Sequence, residues 1–226
     1  MSSSTLRKHR RSGDKPEAVA AAQSSGKNDG LDPANPVRIY ADGVFDMYHI
    51  GHARVLQQAK TLFPNVHLIV GVSGDEETIA KKGKIVMTQK ERCDILLHCK
   101  WVDEIICPCP WVISLDFLEE HNIDYVAHDD APYGSAGSED IYAEIKKAGK
   151  FKATQRTEGI STSDVILRII QDYDMYVMRS LQRGFDHKQI GVSWRKYQQL
   201  KWANKIKDYV KKYEQNPFWR KLQSDM

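Results

Sequence analysis

The sequence predicts an α/β fold with a doubly wound parallel sheet, and three observations support that reading. From Pro36 onward, short apolar runs alternate with segments of helical period, so strands and helices follow one another along the chain. One run, His67-Leu-Ile-Val-Gly-Val72, is apolar almost throughout, as suits a central parallel strand buried on both faces. The segments richest in Gly, His, Asp and Lys follow strands, and open parallel sheets bind ligands beyond the carboxyl ends of their strands. Single helices between the strands imply right-handed crossovers.

Residues 37–40 form the first expected strand. A helix is expected over 52–62, where Val55, Leu56, Ala59 and Leu62 recur at helical spacing and Pro64 stops the run. Residues 67–72 are the second strand. Thr88-Gln-Lys-Glu91 matches a capping box, in which each side chain satisfies the other residue's amide, and it starts a helix through about His98. A third strand spans 102–107, a short helix 115–120 and a fourth strand 124–128. Ser138 is the expected cap of a helix over 141–148 that Gly149 ends. Phe151 begins a fifth strand, and Ser161 or Ser163 caps a long helix over about 164–181. Four loops then lie at the ligand edge: 42–52, 74–84, 129–137 and 156–163.

Residues 1–35 are rich in Ser, Ala, Gly, Asn and Asp with almost nothing to bury, so a disordered tail is expected there. One folded domain follows over 36–185, and 186–226 forms a basic helical extension. The 226 residues suffice for a substantial core, and 41% hydrophobic with 28% charged residues is ordinary for a soluble protein. No apolar run approaches the roughly 20 residues that span a bilayer. Residues 2–11 lack the apolar segment of a secretory signal. A cytoplasmic or nuclear protein, soluble or peripheral to a membrane, is therefore expected. Arg7-Lys-His-Arg-Arg11 reads equally as a nuclear signal, a contact for acidic partners or a solvated tail. The net charge of +3 is too small to imply nucleic-acid binding. The four cysteines lack the paired CxxC spacing of a zinc site, so reduced thiols, no disulfide and no protein metal site are expected.

Chemistry concentrates in three places. His49 and His52 flank Gly51 at the start of a helix, where residues three apart share a face and unpaired amides favour an anion. Gly51 has no Cβ, which lets a ligand approach the backbone. Two capping histidines are the plainer alternative, which the preceding strand and turn weaken. Lys81-Lys-Gly-Lys84 follows the second strand, and a lysine there suits phosphate as a mobile point charge. Gln155-Arg-Thr-Glu-Gly-Ile-Ser-Thr-Ser-Asp164 sets the fork of Arg156 beside hydroxyls at a helix start. The third place is His128-Asp-Asp-Ala-Pro-Tyr133 with Tyr142 and Trp111, since aromatic rings with a carboxylate can enclose a quaternary ammonium. Each aromatic taken singly also fits core packing.

The residues now support a resemblance. Asp42-Gly-Val-Phe-Asp46, His49-Ile-Gly-His52 and Arg156-Thr-Glu-Gly-Ile-Ser-Thr162, in that order, resemble the cytidylyltransferase branch of the HxGH nucleotidyltransferases, whose fold is Rossmann-like. Trp111 and His128-Asp-Asp-Ala-Pro-Tyr-Gly-Ser-Ala-Gly137 make the chain most similar to members acting on choline phosphate, over about residues 36–185. The resemblance implies that CTP and phosphocholine give CDP-choline and pyrophosphate, a step of phosphatidylcholine synthesis. It implies that Val44, Phe45, His52, Lys82, His128, Asp129, Tyr133, Gln155, Arg156, Thr157, Ile160 and Thr162 contact the nucleotide. Trp111, Asp129, Tyr133 and Tyr142 would form the choline pocket, with Lys82 on the phosphates of both substrates. His49, His52, Lys82 and Arg156 would be the catalytic set. Mg²⁺ would arrive with CTP, held mainly by substrate phosphates, and the enzyme would be a homodimer.

The chain departs from the family pattern in two places. Lys100-Trp101 precedes Val-Asp-Glu where the family shows Arg-Tyr, in a stretch it uses for dimer contacts. Lipid-regulated members carry a long amphipathic helix after the catalytic domain. Here 193–226 holds nine Lys or Arg against three acidic residues, with Trp194, Trp202 and Trp219. That composition suits an anionic membrane surface, a packed helix or a solvated one. Three rival readings are a phosphoethanolamine-specific sibling, a tRNA synthetase lacking its second lysine-rich signature, and a catalytically dead scaffold.

Overall fold

Val37, Ile39, Tyr40 and Ala41 are fully or almost fully buried, which places them in a strand covered on both faces. They belong to β2 (Val37–Gly43) of a computed structural model that describes residues 4–7, 28–131 and 140–214. The other elements are β1 (Ser4–Arg7), α1 (Ile50–Lys60), β3 (Val66–Ser73), α2 (Asp75–Lys82), α3 (Gln89–Leu97), β4 (Glu104–Cys109), α4 (Leu115–Glu120), β5 (Tyr125–Asp129), α5 (Ala143–Lys147), β6 (Phe151–Thr154), α6 (Thr162–Gln171), α7 (Tyr173–Gln182) and α8 (Trp194–Glu214).

The sheet order is β1-β4-β3-β2-β5-β6, and β2 to β6 are all parallel. Winding starts at β2, proceeds through β3 to β4, then returns to the other side of β2 for β5 and β6. The order therefore reverses between β2 and β5, and the crevice beyond their carboxyl ends is where such sheets bind ligands. Strand alternation separates two cores. Ile39, Leu68, Val70 and Ile105 pack with Leu56 and Ala59 of α1 and Leu96 of α3. Tyr40, Ile69, Ile106 and Val126 pack with Leu118, Tyr142 and Ile145 on the opposite face. Gly71 in β3 is required by close approach, since a Cβ there would lie 1.9 Å from the Tyr40 hydroxyl.

Several expectations are corrected. Ser4–Arg7, within the expected tail, pairs antiparallel with β4, because edge pairing uses backbone groups and needs no apolar side chains. The rest of the tail falls outside the described residues apart from 28–35, as do Ser138 and 215–226. Two helices, not one, connect β3 to β4. Most of the expected 74–84 loop is α2, whose first turn holds Asp75, Glu76 and Glu77 and whose last holds Lys81 and Lys82, matching the helix dipole at both ends. α1 begins at Ile50 with His49 as its N-cap. The long helix over 164–181 is broken at Asp172, whose φ of −102° and ψ of 16° interrupt it. Cys93 and Cys107 are joined as a disulfide rather than left reduced, because α3 packs on β4 with both buried; Cys99 and Cys109 are outside that bond, and the Cys99 sulfur accepts from the Tyr48 hydroxyl at 3.2 Å.

Contacts divide the chain into two compact units, Met1–Thr162 and Ser163–Met226, where the sequence suggested a boundary near 185. The second unit has its own small core of Val177, Val192 and Leu200, with Met178, Leu181 and Tyr197 packed around it. Lys196 pairs with Asp174 there. Among the described residues no helix is long and apolar enough to cross a membrane.

Candidate active site

The start of α1 is capped by its own histidines. The His49 Nδ1 accepts from the Gly51 amide at 3.0 Å, and the His52 Nδ1 accepts from the His49 amide at 3.3 Å. An amide can only donate, so both rings carry their proton on Nε2 and each presents one N–H donor. The rings stack with centroids 3.9 Å apart. Gly51 serves this packing: a Cβ there would lie 2.8 Å from the His49 Cε1, so its bareness makes room for the imidazole. In both rings Nδ1 satisfies the helix start, which puts the N–H on Nε2.

Burial pushes His52 down to about 4, helped by His49 and Lys82 and opposed by Asp46. The ring therefore stays a neutral donor at neutral pH. The unfolded chain protonates this histidine near its ordinary 6.5, so between the two values the unfolded state binds more protons. Its contribution is full above pH 6.5 and is lost as the pH falls through 4. We expect His52→Asn to flatten the fall of Tm over pH 6.5 to 4, by on the order of 3 kcal/mol at most. Equal slopes for the two proteins would refute a depressed titration.

Two buried charges hold the loop after β2. The carboxylate of Asp46 accepts from the amides of Val86 (2.9 Å) and Met87 (2.8 Å), and its carbonyl accepts from the Thr162 hydroxyl (3.1 Å). It thereby fastens three ligand-edge segments together. Arg92, with no exposed surface, donates to the Val44 carbonyl (2.6 Å), the Ser73 carbonyl (2.8 Å) and the Asp75 carboxylate (2.7 Å). Asp75 also accepts from the Gln89 amide at 3.0 Å. Although burial raises the Asp75 carboxyl, those two partners hold it below the usual carboxylate range. This bracing lets Phe45 adopt a φ of 56° and Met47 one of 47°, conformations that cost energy without surrounding support.

Across the crevice the Tyr142 hydroxyl, 3.0 Å from both oxygens of Asp42, donates to that carboxylate. The His128 ring lies 4.7 Å from the Tyr142 ring. Burial raises the Asp42 carboxyl, and His128, the Tyr142 hydroxyl and Lys82 oppose the rise. Asp129 accepts from the Arg156 Nε at 3.0 Å and from the Ala131 amide at 3.2 Å. Gln58 of α1 holds the Gln155 backbone through both its amide groups, at 2.9 and 3.0 Å. Lys82 ends α2 with its ammonium 5.8 Å from the Trp111 ring centroid, and its charge is felt by both Asp42 and His52.

The structure thus places His49, His52, Lys82, Asp42 and His128 around one crevice, with Arg156 on Asp129 at its β5 side and Ile160 over Gly51. The Val44 carbonyl accepts from Arg92, and Phe45 is a core side chain. Thr157 is half-buried and Gln155 exposed. Tyr142 is buried, and its hydroxyl rests on Asp42. Tyr133 lies outside the described residues. Sequence reasoning missed Asp42, Asp46 and Arg92 as site residues. Asp42 and Asp46 flank the motif that was singled out, and Arg92 shares a helix face with Leu96 of the apolar stripe, an unusual place for a charge.

The fold and the crevice define an α/β domain of the Rossmann-like kind, with imidazole donors at a helix N-terminus at the sheet's switch point. The chain belongs to the cytidylyltransferase-like family, whose pattern matches residues 40–168. It is 60% identical over 172 residues to the probable choline-phosphate cytidylyltransferase of Schizosaccharomyces pombe, covering 76% of this chain and 48% of that protein. It is 55% identical over 183 residues to choline-phosphate cytidylyltransferase A of Homo sapiens, covering 80% and 50%. Identity to the ethanolamine-phosphate cytidylyltransferase of Arabidopsis thaliana is 43% over 162 residues, covering 67% and 38%. The chain spans about half the length of the choline-phosphate relatives it matches.

Proposed function

We propose that the chain transfers the cytidylyl group of CTP to phosphocholine, giving CDP-choline and pyrophosphate. The observation that carries the reading is the pair of Nε2–H donors at the start of α1, in a crevice where the Lys82 charge is also felt. A phosphate oxygen of phosphocholine attacks the α-phosphorus of CTP in line. The new P–O bond forms as the bond to the β-phosphate oxygen breaks, and its electron pair leaves with pyrophosphate. No covalent enzyme intermediate is needed, so positioning and electrostatics supply the acceleration. The two imidazoles hydrogen-bond the oxygens that gain charge, and Lys82 neutralises charge on the phosphates. Arg156 exchanges Asp129 for a phosphate that its fork fits. Trp111 supplies an aromatic face for the choline ammonium, and Asp42 and Asp129 supply negative charge. Mg²⁺ entering with CTP would rest mainly on triphosphate oxygens.

Comparing kcat/KM for phosphocholine and phosphoethanolamine tests the assignment. We expect phosphocholine to lead by about tenfold or more, since a desolvated cation–π contact favours a quaternary ammonium and a primary one seeks hydrogen-bond acceptors. Equal or reversed values would refute the choline assignment, and no CTP turnover with either would refute catalysis. α8 exposes Trp194, Trp202, Ile206, Tyr209 and Val210 among its lysines, which supports a peripheral contact of 193–226 with an anionic membrane. Adding vesicles to the same assay checks this: the protein should sediment with anionic and not with zwitterionic ones.

A further inference from the structure

We propose that Lys81 sets the affinity of the ammonium subsite, by holding the face of Trp111 that a cationic substrate group must take over. The proposal rests on the reading above that Trp111 receives the choline ammonium. The Lys81 ammonium lies 5.1 Å from the Trp111 ring centroid, nearer than that of Lys82 at 5.8 Å. Both distances fall inside the roughly 6 Å reach of a cation–π contact. Two features keep Lys81 in place. Its ammonium pairs with Glu77 one turn earlier at 3.0 Å. Helix α2 ends directly beyond it, with the Gly83 amide bonded to the carbonyls of Thr78 and Ile79.

The chemistry of the two cations decides the exchange. A lysine ammonium is compact and strongly hydrated, and here it keeps a carboxylate partner when it leaves the ring. A quaternary ammonium donates no hydrogen bond and gains most from an aromatic face, so it displaces the lysine. Lys82 is drawn off by the phosphates that accompany the ammonium. Lys81 has no phosphate role in the mechanism, so its contact with the ring acts only as competition. An exposed cation–π contact shifts an equilibrium by roughly two- to fivefold.

The test is a cycle of Lys81→Gln and Trp111→Ala, with steady-state kinetics in phosphocholine and in CTP. Glutamine retains helix propensity, so an unchanged Tm is expected. Lys81→Gln should lower KM for phosphocholine about two- to fivefold while kcat and KM for CTP stay constant. In the Trp111→Ala background, where phosphocholine KM is already raised, Lys81→Gln should change nothing. An unchanged or raised KM from Lys81→Gln alone would overturn the proposal, as would an equal fall with and without Trp111. If Trp111→Ala leaves phosphocholine KM unaltered, the ammonium subsite itself is misplaced and the proposal falls with it. If Trp111→Ala raises KM and Lys81→Gln is inert, only the competition is refuted.

Discussion

Replacing His52 by alanine lowers kcat for CTP and phosphocholine by about a hundred- to a thousandfold, the usual loss when one preorganised donor to a developing charge is removed. KM changes little, because the donor acts chiefly on charge that appears in the transition state. The fold survives, since His52 is only partly buried and its structural bond is one long contact from the His49 amide. Losing that contact costs about 1 kcal/mol, the ordinary cost of a lost cap. Tm should therefore fall by only about 2–4 °C. Steady-state kinetics with circular dichroism check this, and near-normal turnover by a folded variant would contradict the role given to His52.

The second large effect is on stability. Arg92→Met, which keeps the apolar stem and removes the guanidinium, should lower Tm by on the order of 10 °C, from roughly 3–5 kcal/mol of lost stability. The change leaves the carbonyls of Val44 and Ser73 and the Asp75 carboxylate without their shared donor inside the protein. Arg92→Lys should fall between the two proteins, because one ammonium cannot reach three acceptors with the geometry of a fork. Turnover well below the lowered Tm should also drop, since Val44 leads into the loop before α1 and Ser73 leads into α2, which carries Lys82. A Tm within about 2 °C of the parent would show that the three bonds contribute little.

Arg92 also shows where reading the sequence stops. Its helix is announced by the capping box Thr88-Gln-Lys-Glu91, which forms as expected, with Thr88 and Glu91 bonded to each other's amides. Nothing local says that the arginine one step later points inward. That depends on the carbonyls ending β2 and β3, which are brought side by side only when those strands pair. Asp46 is similar: its partners Val86 and Met87 lie in a connection read simply as a loop. Tyr142 depends on the fold in the same way. Its residue type suited a choline pocket, and only the sheet shows that its ring is buried with its hydroxyl on Asp42.

The residues by themselves determined the alternation of strand and helix and the helix start at the paired histidines. They did so because side-chain period, capping and turn chemistry are decided within a few neighbours. The order of Asp42, His49, His52, Lys82, Trp111, His128 and Arg156 likewise identified the family. Only the tertiary structure decided which ring nitrogens carry protons, that Asp42 rests on Tyr142, and that the ammonium groups of Lys81 and Lys82 both lie within roughly 6 Å of the Trp111 ring centroid. Those facts depend on groups far apart in sequence meeting where a few tenths of an ångström and the removal of water set the sign of the interaction.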